Sequence, residues 1–378
     1  MKINKIKIIS IALLLAAFLF VIYGTKKVYN DFFWSASSSN VSKWGASTTP
    51  LQSEEKVKSE LDRMLSIQRR NYKDLVNYPT IPIPGLRGAW SLKKDKVAFG
   101  VDWVPQGLAI SENNLFISAY DKKHQLNSIV YVINKKSGKY LKTIILDTKA
   151  HVGGLAYDVK YKRLWIATDT SKNARLTVLS QKNIDTYQPS LMKKSILSDK
   201  TFDIQWWTNV SSLSISDNVL SLAYYDSKEK GGIISVTLNS SGYLENRQIN
   251  HAIELKKTNN NMITIIDKNK VLNGSKIMNG KERMQGISFS EDLLFISQSN
   301  GLAASKVGIY RYKRIEKTGS FEFGKLEKSD EVSIPTGVEQ IAVDPYSSKV
   351  YIVFESGARP YRADTFEIMD RVISLNFK

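Results

Sequence analysis

The chain has 378 residues and no cysteine, which excludes disulfides, cysteine-ligated zinc and thiol nucleophiles. Lysine and arginine outnumber aspartate and glutamate by 54 to 36, a formal charge of +18, so the surface attracts anionic polymers or lipid head groups. No nucleic-acid recognition motif accompanies that charge, and the length suffices for one large all-β domain with a stalk.

At the N-terminus, Lys2, Lys5 and Lys7 precede an apolar run from Ile8 to Gly24, broken only by Ser10 and closed by Lys26 and Lys27. As a helix this run is about 25 Å long, enough for a bilayer core with small adjustments. Bulky residues from Phe18 to Tyr23 stand where a signal peptide would carry a small-residue cleavage site. The reading is a signal-anchor transmembrane segment over residues 1–27. It places the protein at the cell membrane as a single-pass chain, N-terminus inside and body extracytoplasmic. Cleavage of the segment would make the body a secreted protein.

Residues 28–84 read as linker and stalk. Residues 35–50 are rich in Ser, Thr and Ala, the composition of a flexible spacer. From Leu51 to Tyr78, Val57, Leu61, Met64, Leu65 and Leu75 recur at near-helical spacing until Pro79, Pro82 and Pro84 end the pattern. This predicts a short amphipathic stalk helix packed on the domain.

Residues 85–378 repeat. QGLAISENNLFIS from Gln106 and QGISFSEDLLFIS from Gln285 share eight of thirteen positions. Looser copies begin at Gly153, Ser211 and Glu339, each a polar or small pair, a strand, a turn and a second strand. Third strands follow at 128–134, 174–180, 232–238, 306–312 and 371–377, and several copies add a fourth. Repeated four-stranded units imply an all-β fold, a β-propeller. Five blades are counted. Six is the alternative, because the interval between Ser211 and Gln285 has room for another. The last copy lacks a fourth strand, and a segment near Gly88–Gly100 is expected to supply it.

On these motifs the chain resembles bacterial extracytoplasmic β-propellers of the broad lactonase-like and quinoprotein-like class, over residues 85–378 and at the level of the fold. Six-bladed gluconolactonase-type members hold calcium with acidic and amide side chains in the channel. The matching inner-strand positions here are Gln106, Gly153, Ser211, Gln285 and Glu339, one of them acidic.

In a propeller, the starts of inner strands and the ends of second strands share one face, so a ligand site is expected at that mouth. Inner-strand starts offer Gln106, His151, Ser211, Gln285, Glu339 and Gln340; second-strand ends offer Tyr120, Asp121, Asp169, Tyr225, Asp226, Asn300 and Glu355. The aspartates have a second reading as turn formers. Trp103, Trp206 and Trp207 are sugar platforms if exposed and core filling if buried. Arg359 and Arg362 are expected either to fork an anion or to pair locally with Glu355 or Asp364. No cofactor is required, although Glu339, Gln106 and Gln285 could contribute oxygens to calcium.

A Ser211/His151/Asp169 triad can be written, but no Gly-x-Ser-x-Gly elbow, Walker loop or His-Glu-x-x-His is present. The expected role is therefore a membrane-anchored binding module for a cell-envelope glycan, anionic polymer or protein partner, without nucleic acid. The alternative is a metal-assisted hydrolase of lactonase type, or a glycan-cleaving enzyme, with its site at the mouth.

Overall fold

The computed structural model describes residues 5–28, 34–67, 75–204, 209–225, 230–245, 253–257, 263–267, 271–301, 303–312, 314–317, 320–323, 326–365 and 367–377. Five β-sheets among them form the blades of a propeller. The first contains Trp103–Ile110, Asn114–Asp121, Ile129–Asn134 and Tyr140–Ile145; the second Leu155–Asp158, Arg163–Ala167, Ala174–Ser180 and Lys200–Ile204. The third contains Ser212–Ser216, Val219–Tyr224, Lys230–Thr237 and Val271–Glu282. The fourth contains Met284–Ser290, Leu293–Asn300, Ala303–Arg311 and Glu327–Ile334. The fifth has Val338–Val343, Lys349–Phe354 and Arg371–Asn376. In each blade the strands pair antiparallel, and the inner strands of successive blades touch round to the first.

The interval that had room for a sixth blade instead lengthens the third. Ile253–Lys257 and Ile263–Asp267 continue its sheet beyond Val271–Glu282, making six strands in one radial sheet. The segment lacks the small residues that an inner strand needs, so it adds to an outer edge.

Closure also differs from expectation. Ile81–Pro82 is the fourth strand of the fifth blade, with Ile81 opposite Val372 and Pro82 opposite Arg371. Residues 89–100 form a separate hairpin, Ala89–Lys93 against Lys96–Gly100. The closing strand is an edge, where proline is tolerated because no ladder partner needs its missing N–H.

The repeated motif explains how the blades join. Ser118 and Ser297 are the terminal serines of the two closest copies. Ser118 Oγ donates to Val152 O at 2.7 Å and Ser297 Oγ to Glu339 O at 2.6 Å, each reaching the next blade. Between them the inner strands run so close that a Cβ on Gly107 would lie 2.7 Å from Leu155 Cγ. One on Gly286 would lie 2.8 Å from Gln340 Cα. Large apolar residues such as Trp103, Phe116, Trp165 and Phe354 are fully buried along the blades, and each contributes roughly 1.5–3 kcal/mol of transfer free energy.

Among the described residues two α-helices precede the blades. The first, α1, spans Lys5–Val28, and its Leu14, Phe18, Leu19, Phe20 and Tyr23 are exposed. Among the described residues no helix is long and apolar enough to cross a membrane. The second, α2, spans Glu54–Ile67 and is shorter than the pattern from Leu51 to Tyr78 implied. Ser53 caps it by accepting from Lys56 N at 3.3 Å. Val57, Leu61 and Leu65, one turn apart, are buried against Phe295, Val307 and Val332 of the fourth blade and Ile352 and Leu375 of the fifth.

The Ser/Thr/Ala-rich stretch from residue 35 is not a free spacer. Ala36, Val41, Ala46 and Ser47 are buried. Two charged residues hold it: Arg87 donates to Trp34 O at 2.9 Å and Pro50 O at 3.0 Å, and Asp370 accepts from Gln52 N at 3.0 Å. Composition gave no sign of these distant partners.

Candidate functional site

The side chain of Gln340 crosses the channel. Gln340, buried in the inner strand of the fifth blade, accepts from Leu108 N at 3.0 Å and Leu155 N at 2.8 Å. Its amide donates to Leu155 O at 2.5 Å and Leu213 O at 2.8 Å. One residue thus ties the first, second and third blades to the fifth. Gln340 also lines the cup on the far side of the channel, a cavity of about 710 Å³ reaching Asp158, Lys160 and Asn218.

The mouth lies on the other side, and backbone irregularity builds it. The strand register shifts between Pro105 and Leu108, between Met284 and Gly286, and between Val338 and Ile341. Such bulges free a residue from the ladder and re-aim its side chain. The freed positions include Gln106, Gln285 and Glu339, the polar residues that recur at one place in the repeat.

Glu339 is buried, and its carboxyl is hydrogen-bonded to that of Glu355. Gln106 Nε2 approaches Glu355 Oε2 at 3.4 Å and donates to Pro105 O at 2.9 Å. Burial, then the neighbouring Glu355 carboxylate, raises Glu339 far above the usual carboxylate range, so it holds the proton of the pair. Burial also raises Glu355, to about 7, against the opposing pull of Lys122 and the Gln106 amide. Tyr120 hydroxyl is hydrogen-bonded to Tyr361, whose ring carries Lys122 Nζ at 4.7 Å. His151 keeps a solvent-exposed edge and stacks on Tyr120 with ring centroids 4.5 Å apart. Desolvation by the groups packed around it, then the nearby His124 and Lys122, lowers it to about 4, so its imidazole is neutral. Beside this group a cavity of about 380 Å³ is lined by Tyr225, Gln285, Thr336, Glu355, Tyr361 and Asp364, among others.

Other expected site residues lie elsewhere or are engaged. Asp169 lines a separate groove with Arg175 and Leu197. Its carboxylate accepts from Val210 N at 2.8 Å and Arg175 N at 3.2 Å, and burial raises it to about 6. Asp121 accepts from Gln125 N at 2.8 Å, as a turn former does. Arg362 donates to the carbonyls of Gly357 and Leu86, and burial with Arg87 nearby lowers it to about 9. Arg359 faces Asp102 at 3.5 Å. Trp103 is core, with Nε1 donating to Gly100 O at 2.9 Å. Ser211 Oγ donates to Ala223 O at 3.2 Å. Trp206, Trp207 and Asp226 lie outside the described residues, as does the Asn300 side chain.

Repetition placed Gln340 and Tyr120 among the mouth residues, whereas Tyr361 lies outside the repeat and carried no such signal. Gln340 was visible as a second long polar residue directly after Glu339. Among the described residues no group of three or more His, Asp and Glu side chains is placed to hold a metal ion.

No family model matches the chain, and no curated protein matches it. Solved β-propellers do. An oxidoreductase (glucose dehydrogenase) from Thermus thermophilus is 11% identical, with 80% of this chain and 98% of that one covered and a TM-score of 0.43. Hydrazine synthase from Kuenenia stuttgartiensis is 10% identical, covering 72% and 86% at a TM-score of 0.34. A luciferin-regenerating enzyme is 12% identical, covering 72% and 91% at a TM-score of 0.36. The likeness is one of propeller architecture, and no activity is carried over.

Proposed function

We propose that this chain is a membrane-tethered, extracytoplasmic propeller whose mouth binds a hydroxyl-rich ligand of the cell envelope, a glycan in the first instance. The observation that carries this reading is the convergence of Gln106, Glu339 and Glu355 on one spot flanked by Tyr120 and Tyr361. A protonated acid beside an ionisable one offers a donor and acceptors together, and tyrosine rings with hydroxyls supply flat apolar faces with polar edges. The neighbouring cavity of about 380 Å³ falls within the size range of small-molecule sites. The exposed apolar side chains of α1 and the apolar run from Ile11 to Gly24 support the tether.

The enzymatic alternative is weaker on geometry. Two carboxyls sharing a hydrogen bond leave no room between them, whereas a glycosidase pair stands about 5–9.5 Å apart to fit the sugar or a water. For calcium, Glu339, Glu355 and Gln106 offer fewer side-chain oxygens than the six to eight the ion prefers.

The test is thermal denaturation of the full-length protein with envelope glycan fragments or calcium, for the native chain and for Glu355→Gln. A glycan fragment is expected to raise the melting temperature of the native chain and not of the variant. A rise with calcium alone, abolished in Glu355→Gln, would replace this reading with the metal-assisted one.

A further inference from the structure

The chain joins its body on the mouth side. Tyr361 lines the mouth cavity, and the next residue, Arg362, donates Nε–H to Gly357 O at 2.8 Å and Nη2–H to Leu86 O. Arg87 continues the link. Its guanidinium donates to Trp34 O at 2.9 Å and lies 5.1 Å from the Trp34 ring, while its carbonyl accepts from Ala36 N at 2.8 Å. Arg359, on the same turn as Arg362, faces Asp102 at the start of the first inner strand. Consecutive bonds therefore fasten Trp34 to the wall of the mouth.

Residues 29–33 are all that separate Val28, the end of α1, from Trp34. Six Cα steps, however they run, reach at most about 22 Å. As a helix the 24 residues of α1 are about 36 Å long. With α1 in the bilayer, Trp34 is confined to within about 22 Å of the end of the helix, and the wall of the mouth follows it through Arg87 and Arg362. The opposite end of the channel is farther by one inner strand: the eight residues of Trp103–Ile110 add about 26 Å. A body standing upright on so short a tether presents the mouth to the membrane and the cup to the solvent.

Two features complement a lipid surface. Trp34 is 39% exposed, and tryptophan favours the membrane–water interface. Lys122, Lys123 and Lys149 are exposed around the mouth, where cations are drawn to anionic head groups.

We infer that the mouth opens toward the bilayer and that its ligand is membrane-borne, a lipid with a hydroxyl-rich head group such as a glycosyl lipid. This rests on the tether and the mouth site proposed above, and goes beyond them by naming the source of the ligand.

The absence of cysteine makes the full-length chain a clean background for single labels. Lys149→Cys marks the mouth and Lys160→Cys the far cup. Each carries a donor dye and is reconstituted in phosphatidylcholine–phosphatidylglycerol vesicles containing an acceptor-labelled lipid. Energy transfer is expected to be stronger from Lys149→Cys. Equal transfer, or stronger transfer from Lys160→Cys, in protein that floats with the vesicles overturns the orientation and leaves the tether standing. Protein that does not float overturns the tether, and this inference with it. For the ligand, native membranes are dissolved into polymer nanodiscs, and the lipids retained by the native chain are compared with those of Lys122→Ala and Glu355→Gln. One hydroxyl-rich lipid enriched by the native chain and lost in both variants is expected. Identical lipid profiles, or a retained soluble oligosaccharide instead, overturn the assignment of a lipid source; the oligosaccharide would still support the mouth as a glycan site.

Discussion

Replacing Gln340 by methionine keeps the length of the side chain and removes all four of its hydrogen bonds. The partners are Leu108 N, Leu155 N, Leu155 O and Leu213 O, and the amide that pairs them is itself buried. Leaving a buried backbone group unpaired costs about 1–3 kcal/mol, so four groups, with some relief from relaxation and from water in the far cup, cost about 4 kcal/mol or more. That is a large part of the roughly 5–15 kcal/mol that holds a typical domain folded. Urea denaturation followed by tryptophan fluorescence should show a lower midpoint at unchanged slope. Gln340→Glu adds a signed control. Its carboxylate would retain the two N–H donors but face two carbonyl oxygens, raising its folded pKa above the unfolded value of about 4.3. Stability gained from the protonated acid is then present below that value and lost as pH rises. A Gln340→Met cost below about 1 kcal/mol would mean that water or backbone movement satisfies these groups, and the reading of Gln340 as the tie between blades would fail.

Three further outcomes are expected. Glu355 shifts from 4.5 to about 7, so its contribution to stability is full below about 4.5 and is lost as pH rises to about 7, by up to about 3 kcal/mol. Melting temperature against pH should show that loss for the native chain and a flatter profile for Glu355→Gln. Leu61→Ala, at a fully buried contact of α2 with the fourth and fifth blades, should cost about 2–5 kcal/mol in urea titration; a negligible cost would mean that the helix does not dock. Gly286→Ala places a Cβ against Gln340 Cα and Glu339 O, and a destabilisation of about 1–3 kcal/mol is expected by calorimetry.

The blades were legible because one physical need recurs five times: a narrow inner strand, a turn and a buried second strand. Gly107, Gly286, Ser118 and Ser297 recur because they mediate the contact between blades. Closure was harder to see. The pattern of prolines around Ile81–Pro82 reads as a break, and only those two residues pair as a named strand with the fifth blade. The packing of the stretch after Trp34 was invisible for another reason. It depends on Arg87 and Asp370, single charged residues with no periodicity, whose partners lie up to 319 residues away. At the mouth, repetition pointed to Gln106, Gln285 and Glu339, yet strand alternation would send only one of Glu339 and Gln340 inward. The register shift between Val338 and Ile341 lets Gln340 cross the channel while Glu339 meets Glu355.

The placement of that shift divides labour within the ring. Glycine and serine positions that join blades are common to several copies, whereas the residue at the start of the inner strand varies freely once a bulge releases it. Gln106, Gln285 and Glu339 belong to the first, fourth and fifth blades, which are contiguous because the ring closes between the fifth and the first. The second and third blades carry Gly153 and Ser211 at the matching place, where a Cβ on Gly153 would meet Ser211 O at 3.0 Å. At this one position of the repeat, the long polar side chains therefore fall on one arc of the mouth. Gln340 crosses the channel beneath them, so a ligand at the polar arc meets a floor formed by the fold itself. Arg362, on the turn beside this arc, also fastens the stretch that follows Trp34. Variation at a few bulge positions could therefore change what the mouth holds without loosening the contacts that keep the blades together.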